Sequence, residues 1–373
     1  MKIEQIALRA AVVTPRTTWL TVQVHCDGAT GLGELSGICQ MEQALRLVRP
    51  LAGEIQGHGV AEAQAWIAGP GRQWAAHARS AAERLRRHTA MGGVSTALVD
   101  LAARRAGVSM AAYLSDSPGD YSRHTVPVYA NINRAMTERT PEAAARLATL
   151  ARHGGFTALK CAPFDGLPHG ERVETGLRIA AAVRSALGPD GALMVDVHHQ
   201  LDAVQLRAAV KGLAALNLAW LEDAAQLHEI DMLTRVRETV GCPLAGGEFV
   251  AEPATLLPAL RAGVLDVAMP DITHAGGPEA ALLLARTALD HGAAVTLHNP
   301  SGPVATAASG QITALLPEGW PLEIMFGEMP ARPGYIAPAE RVHDGLLHLA
   351  PGPGLGIGLA PNLEGDTHGA RVA

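Results

Sequence analysis

Three acidic residues end apolar runs at a regular spacing in the second half of the chain. Asp196, Glu222 and Glu248 lie 26 residues apart, in the stretches ALMVDVHH, LAWLEDA and PLAGGEF. One strand and one helix take about that length, so we expect the three carboxylates on adjacent strands at one height. Carboxylates that face one another cannot all stay ionised without a cation, and all-oxygen ligands favour a hard ion such as Mg²⁺. The alternative is three unrelated carboxylates that cap helices or pair with Arg.

A carboxylate and an imidazole form the next candidate pair. Asp271 ends the run LDVAMPDI, and His298 ends AAVTLHN 27 residues later, so the two should be neighbours. A carboxylate beside an imidazole fixes its tautomer and orientation and raises its basicity, which suits a general base. The alternative is a buried histidine whose polar atoms a local carboxylate satisfies.

A lysine stands near the end of a short strand in ALKCAPFD. Side chains two apart on a strand share a face, so Lys160 and Ala162 are expected to point inward together. Lys160 can place a positive charge beside a substrate carboxylate, whereas Ala162 offers only a methyl group.

Two strand ends leave a choice between residues. His198 comes two residues after the acidic end of its strand and should share its face, but His199 follows it directly. Glu323 ends the run PLEIMFG, and Glu328 competes with it. We favour His198 and Glu323.

The elements that must position these residues are strands alternating with helices. From about residue 126, eight apolar runs are each separated by enough chain for one helix, as (β/α)8 barrels require. The runs are VPVYANI, TALKCAPF, ALMVDVHH, LAWLEDA, PLAGGEF, LDVAMPDI, AAVTLHN and PLEIMFG. In such a barrel the chemistry lies at the C-terminal ends of the strands, where the polar residues fall. The structural alternative is a doubly wound open sheet.

Three segments divide the chain. Residues 1–125 begin with alternating strand patterns and a turn at Asp27-Gly28, followed by helical stretches, which predicts an α+β unit with an antiparallel sheet. Residues 126–345 are the predicted α/β barrel. The Gly- and Pro-rich tail, 346–373, is expected to return to the N-terminal unit.

Composition excludes several classes of protein. The 373 residues carry a formal net charge of −6 and no basic block, which argues against a nucleic-acid partner. No apolar run approaches the ~20 residues that span a bilayer, and the start has no signal-peptide pattern. The four cysteines form no CxxC, so a disulfide framework or a cysteine zinc site is not expected. We therefore expect a cytoplasmic protein without a membrane partner.

Taken together, the motifs MVDVHH, WLEDA, AGGEF, MPDITHAGG, LHNPSGP and PLEIMFGE resemble the enolase superfamily, and within it the mandelate racemase group. The resemblance covers almost the whole chain. It implies an α+β capping domain on a modified barrel, with Asp196, Glu222 and Glu248 as Mg²⁺ ligands. It also implies homo-oligomers, from dimers to octamers.

The same resemblance implies roles for the remaining residues. The pair Asp271 and His298 matches the dyad that marks the group, with His298 as the base. His198 matches the acid that protonates a departing hydroxyl in acid-sugar dehydratases, and Glu323 matches a carboxyl that hydrogen-bonds the substrate carboxylate. Cap loops near residues 14–19 and 56–59 would set specificity, with Trp19 or Arg16 as candidate contacts.

One departure from the family pattern favours dehydration. The usual second-strand motif is Lys-x-Lys, but here the second lysine is replaced by Ala162. A two-base racemase is therefore disfavoured, and the leading hypothesis is proton removal next to a carboxylate followed by loss of water. The small-molecule substrate would be an acid sugar or a cis-3-hydroxyproline-like acid. The alternatives are a racemase or epimerase, and a non-catalytic barrel that binds a metal and a carboxylate.

Overall fold

The N-terminal part of the chain forms an antiparallel sheet covered by helices. The computed structural model describes residues 2–15, 17–38, 40–115, 123–317, 320–361 and 368–372. The first elements are β1 (Gln5–Thr14), β2 (Thr17–Cys26), β3 (Ala29–Glu34), α1 (Met41–Ile55), α2 (Val60–Trp66), a π-helical segment (Ile67–Gly71), α3 (Arg72–Ala76), α4 (Ala81–Ala106) and α5 (Met110–Leu114). The predicted turn joins β2 and β3, with positive φ at Asp27 and Gly28 (49° and 73°), as a tight hairpin requires.

Strands and helices then alternate. The strands are β4 (Thr125–Asn131), β5 (Ala158–Cys161), β6 (Ala192–Asp196), β7 (Leu218–Glu222), β8 (Leu244–Gly246), β9 (Val267–Ala268), β10 (Ala294–Val295) and β11 (Leu322–Met325). The helices between them are α6 (Pro141–His153), α7 (Arg172–Leu187), α8 (Ala203–Ala214), α9 (Ile230–Val240), α10 (Pro253–Arg261), α11 (Pro278–Asp290) and α12 (Pro303–Thr313). After β11 the described chain makes a 3-10 turn (Arg332–Tyr335) where an eighth helix would stand.

Strand order decides between the barrel and the open sheet. Parallel pairing runs in chain order from β4 to β10, and the last strand, β11, pairs with the first, β4. A doubly wound sheet reverses its strand order at a switch point and leaves its edges unpaired. Among the described residues no backbone ladder joins β10 to β11, but next to these strands Thr296 Oγ1 donates to Pro321 O at 2.7 Å. The predicted (β/α)8 architecture is therefore confirmed, and the doubly wound alternative is wrong.

The barrel interior is built in layers, because strand side chains two apart share a face. The lower layer is apolar and aromatic, and Trp220 packs edge-on against Tyr129 and Trp320, with ring centroids 5.5 and 5.3 Å apart. The residue two positions after Trp220 is Glu222, and the same step leads from Met194 to Asp196 and from Ala158 to Lys160. The charged residues thus form a layer directly above the packed core.

The C-terminal segment makes contacts with both parts. Its strands are β12 (Ile336–Ala337), β13 (Arg341–His343), β14 (Leu346–His348), β15 (Gly358–Leu359) and β16 (His368–Arg371). Strand β14 pairs with β4 of the barrel, whereas β16 pairs antiparallel with β1 of the N-terminal sheet. We retain the domain boundaries near residues 125 and 345 as a proposal. Within the described ranges no helix is long and apolar enough to cross a membrane.

The N-terminal unit, which we call the cap, packs against the barrel through close backbone contacts. A Cβ at Gly92 of α4 would lie 2.1 Å from Thr273 O, in the loop that follows β9. At the end of β3, Glu34 accepts hydrogen bonds from the N–H groups of Gly302 and Ala305 at the start of α12 (2.6 and 3.1 Å). A carboxylate at a helix N-terminus is favourable, and here it ties the cap to the barrel mouth.

Substitution of Gly92 should test this contact. Gly92→Ala is expected to lower the free energy of unfolding by ~1–3 kcal/mol, because the new methyl group overpacks against backbone. The matched control is Gly53→Ala in α1, where a Cβ meets nothing within 4 Å. The control should be neutral or slightly stabilising, since alanine has the higher helix propensity. Denaturant melts would measure both, and equal behaviour of the two variants would contradict the packing argument.

Candidate active site at the barrel mouth

A cavity of about 740 Å³ lies between the C-terminal ends of the strands and the cap. Lys160, His198, Glu248 and His298 line it from the barrel, and Trp19 lines it from the cap. The other predicted site residues lie directly behind this wall and are 0–1% exposed: Asp196, Glu222, Asp271 and Glu323. The structure therefore brings all eight together at one end of the barrel.

Lys160 is the central positive charge of the site. Its Nζ donates to Glu222 Oε1 at 2.6 Å and lies 3.0 Å from Glu323 Oε1 and 3.8 Å from Asp196 Oδ2. Burial opposes the charge of Lys160, but these carboxylates outweigh burial and raise its pKa well above the usual value. One ammonium thus faces three carboxylates, which leaves net negative charge in a buried space.

The pKa values of the acidic residues reflect this crowding. Burial and the charge of Asp196 raise the pKa of Glu222 well above its usual value, although Lys160 opposes the shift. Burial would also raise the pKa of Asp196, but His198 and Lys160 lower it to about 2. Carboxylates held this close repel one another, and a bound cation relieves such repulsion.

The donor set suits a hard cation. Asp196 Oδ2 and Glu248 Oε2 are buried oxygens without a hydrogen bond of acceptable geometry, although His198 Nε2 and His298 Nε2 lie 2.7 and 2.8 Å away. Together with Glu222 they offer only oxygen ligands, which Mg²⁺ prefers. In the described part of the chain, however, no three His, Cys, Asp or Glu side chains already stand at metal-binding spacing. The Mg²⁺ site at these three residues therefore stays a prediction.

The predicted pair Asp271 and His298 is in hydrogen-bonding contact. His298 Nδ1 lies 2.9 Å from Asp271 Oδ2, while Asp271 Oδ1 accepts the backbone N–H of Thr273 at 2.7 Å. Burial lowers the pKa of His298, but the charge of Glu248 and the contact with Asp271 outweigh it and raise the pKa well above its usual value. Because Glu248 is the largest of these opposing charges, neutralising Glu248 would lower the pKa of His298, while Glu323 and Asp271 would still raise it.

The two consecutive histidines point to different partners. His198 Nε2 lies 2.7 Å from Asp196 Oδ2 and His198 lines the cavity, whereas His199 Nε2 lies 3.3 Å from Asp223 Oδ2. Both have positive φ (47° and 52°), a conformation that the strand pattern does not reveal. Burial lowers the pKa of His198, but Asp196 and Asp165 raise it to about 11.

Glu323 and Glu328 occupy different places. Glu323 is fully buried, accepts from Asn131 Nδ2 (2.5 Å) and Asn299 N (3.0 Å), and pairs with Lys160. These donors suit an ionised carboxylate, and Lys160 and His298 lower its pKa despite burial. Glu328 instead lines the cavity and pairs with Arg134 of the β4–α6 loop at 3.5 Å. The predicted substrate contact of Glu323 requires its protonated form and stays a prediction.

Sequence reasoning missed the loop between β4 and α6. Asn133 and Arg134 line the cavity, and Asn133 Oδ1 accepts the backbone N–H of Ala162 at 2.5 Å. The polar cluster NINR after the apolar run could have signalled it. Of the expected cap loops, residues 14, 15 and 17–19 line the cavity and 56–59 do not, while Arg16 lies outside the described residues.

Comparison with known proteins identifies the family. The sequence pattern of the enolase C-terminal domain-like family matches residues 142–363. The chain belongs to this family. The resemblance of its motifs to the enolase superfamily is thereby confirmed, and the fold agrees with a solved enolase-superfamily structure from Salmonella Typhimurium. That structure has a TM-score of 0.85 and 20% identity, and the match covers 100% of both chains.

Relatives with named activities match this enolase-family chain over most of its length. One is a D-galactarolactone cycloisomerase of Agrobacterium fabrum, 29% identical over 92% of this chain and 89% of that protein. Another is a D-galactonate dehydratase of Xanthomonas oryzae pv. oryzae, 26% identical over 96% of this chain and 92% of that protein.

Removal of single carboxylates should test the predicted metal site. Loss of a residue that only supports a metal ligand lowers metal affinity by ~10–100-fold. Each of three variants removes a predicted ligand itself, so each is expected to weaken Mg²⁺ binding by more than this: Asp196→Asn, Glu222→Gln and Glu248→Gln. Glu328→Gln is the matched control, a buried carboxylate on the same cavity, and should bind Mg²⁺ as the parent does. Titration calorimetry with Mg²⁺ alone would measure this. Unchanged binding in all three variants would exclude these carboxylates as ligands.

Proposed function

We propose that this enzyme is a Mg²⁺-dependent dehydratase that removes water from an acid sugar through an enediolate. The observation that carries the proposal is the position of two imidazoles, His198 after β6 and His298 after β10. Strands β6 and β10 are the third and seventh of the barrel, so their ends stand on opposite walls. A substrate between them would meet a proton acceptor on one face and a proton donor on the other.

His298 is the proposed base. Its Nδ1 is engaged by Asp271, which leaves Nε2, on the side of Glu248, to accept the proton next to the substrate carboxylate. The carboxylate of Asp271 holds the ring in one orientation and stabilises the imidazolium that forms.

The proposed mechanism also requires positive charge beside the substrate carboxylate, from Mg²⁺ and Lys160. Bound Mg²⁺, held by Asp196, Glu222 and Glu248, would supply charge to the substrate carboxylate as the dianionic enediolate develops. Lys160 lies on the cavity wall among the same carboxylates and adds a fixed charge that burial keeps unscreened. Glu323 holds Lys160 in place through its 3.0 Å contact.

The missing lysine favours loss of water over inversion. Ala162 is fully buried, and Lys160 is the only lysine among the described residues that line the cavity. Inversion at the α-carbon needs a second group that returns a proton to the opposite face of that carbon. Lys160 is held among carboxylates, whereas the imidazole of His198 lines the cavity on the wall opposite His298. We take His198 as the donor, and a donor beside the β-hydroxyl expels water.

The relatives support an acid sugar as the substrate class. One is named a D-galactonate dehydratase, and another a D-galactarolactone cycloisomerase. The name of the second favours one further candidate, in which a ring oxygen rather than a hydroxyl leaves the β-carbon after the same proton removal. The test below also distinguishes the remaining alternatives, which are a cis-3-hydroxyproline-like substrate, an epimerase and a non-catalytic barrel.

The test is incubation with Mg²⁺ and a panel of hydroxy acids in D2O, following α-deuterium exchange and loss of water separately. The panel should hold aldonic acids, acid-sugar lactones and cis-3-hydroxyproline. Water loss from an aldonic acid supports the proposal, whereas exchange with inversion would establish an epimerase. Metal binding without either reaction across the panel would point to a non-catalytic barrel.

Replacement of the base should remove both reactions. His298→Asn is expected to lower α-exchange and water loss together by at least ~10²-fold, because neither can precede proton removal. His199→Asn is the matched control, since that neighbouring histidine contacts Asp223 instead. Exchange would be followed by NMR in D2O, and its persistence in His298→Asn would exclude His298 as the base.

A further inference from the structure

A second carboxylate–imidazole pair lies on the wall opposite His298. Asp165, in the loop after β5, places Oδ2 and Oδ1 at 2.9 and 3.0 Å from His198 Nδ1. Both residues line the cavity. The contact uses the same ring atom, Nδ1, by which His298 is held to Asp271. Each imidazole therefore has one nitrogen fixed by a carboxylate and the other directed toward the predicted metal ligands.

The loops that carry this pair are fixed to each other. Arg172, at the start of α7, donates through Nη2 to Leu167 O (3.0 Å) and through Nη1 to Gln200 O (2.7 Å), which links the loop after β5 to the loop after β6. Phe164 is fully buried against Gly176 of α7, where a Cβ would meet its ring at 2.3 Å. The position of the carboxylate is thus set by packing, as an orienting group requires.

The backbone of His198 is also constrained. Its φ of 47° lies in the left-handed region, which non-glycine residues rarely adopt, and its N–H donates to Asp196 Oδ1 at 2.8 Å. Strained backbone of this kind persists only where its surroundings hold it, and such positions concentrate at functional sites. The ring is therefore held through Nδ1 by Asp165, while Nε2 lies 2.7 Å from Asp196 Oδ2 without a hydrogen bond of acceptable geometry.

We propose that Asp165 is a positioning residue that holds His198 with its proton-bearing Nε2 toward the leaving group of the substrate. The proposal rests on the dehydratase function above and extends it. The proposed acid, His198, would then have its own carboxylate partner, as the proposed base, His298, has in Asp271. Asp165 itself does not touch the reacting atoms. It accepts the Nδ1–H of His198 and so fixes which nitrogen faces the substrate.

The step balances with the groups named. His298 takes the α-proton, and the electron pair of that C–H bond becomes the new carbon–carbon double bond. The β-carbon–oxygen bond breaks with its electron pair on oxygen, and the Nε2 proton of His198 completes a water molecule. His298 then holds one extra proton and His198 lacks one, which exchange with solvent restores. Asp165 acts only on the second proton transfer, so its loss should separate the two halves of the reaction.

The experiment compares water loss with α-deuterium exchange in Asp165→Asn, using the aldonic acid that the parent dehydrates. Water loss should fall by at least ~10²-fold, the usual contribution of a positioned acid. Exchange should remain within a few-fold, since His298 and its partner are untouched, so the ratio of exchange to water loss should rise by ~10²-fold. Mg²⁺ binding by titration calorimetry should not change.

Three comparisons make the result specific. Asp202→Asn removes another histidine–carboxylate contact, 3.1 Å from His169 on the surface, and keeps a helix-capping side chain, so both reactions should survive. Asp165→Glu, which keeps the carboxylate, should recover part of the lost water release. An analogue with chloride in place of the β-hydroxyl needs no proton at its leaving atom, so Asp165→Asn should release chloride at close to the parent rate.

The possible outcomes distinguish failure of this proposal from failure of the proposed dehydratase function on which it rests. A parent enzyme that removes no water from any acid sugar would end both proposals. A parent that dehydrates, with Asp165→Asn losing exchange and water loss in equal measure, would show a merely structural role and overturn the assignment of Asp165 alone. Unchanged water loss in Asp165→Asn would overturn it as well.

Discussion

The contact of one buried ammonium with several buried carboxylates is the constraint on which the site depends. Lys160 lies against Glu222, Glu323 and Asp196, so the upper layer of the barrel carries more negative than positive charge. Buried charge of one sign is costly unless it is paired. Under the proposed function this cost would be offset, because a bound cation and two imidazoles would bring positive charge to a substrate that becomes more negative as it reacts. The excess of carboxylates is therefore better explained by chemistry than by stability.

The apolar layer below makes this arrangement possible. Tyr129, Trp220 and Trp320 fill the barrel with edge-to-face rings, so the charged residues one step higher stand on a packed floor with little freedom to move apart. The two-residue period of a strand places Glu222 directly above Trp220, whose Nε1 donates to Glu222 Oε2 at 3.0 Å. The aromatic core that stabilises the barrel thus also orients the carboxylates in the layer above it.

Periodic features of the sequence predicted periodic features of the structure. The 26-residue spacing of acidic residues, the eight apolar runs and the pairing of Asp271 with His298 all follow from strands repeating around a barrel, so local pattern was enough. Contacts between loops have no such period. The positive φ of His198, the approach of Asp165 and the β4–α6 loop with Arg134 depend on how separate loops pack against each other, as through Arg172. Those contacts could not be read from strand alternation alone.

Under the proposed mechanism, the similarity of the two histidine–carboxylate pairs would explain how one cavity could be specialised without a change of base. If His298 removes the proton in every case, the product depends on which atom lies beside Nε2 of His198. If the α-carbon lay there, it would be protonated with inversion. A β-hydroxyl in that place would leave as water, and a ring oxygen would leave the β-carbon so that the ring opens. The atom in that position is set by how the rest of the substrate lies against the cap residues around Trp19 and the β4–α6 loop. Reaction type and substrate choice would then be determined by the same contacts, rather than by the charged residues inside the barrel.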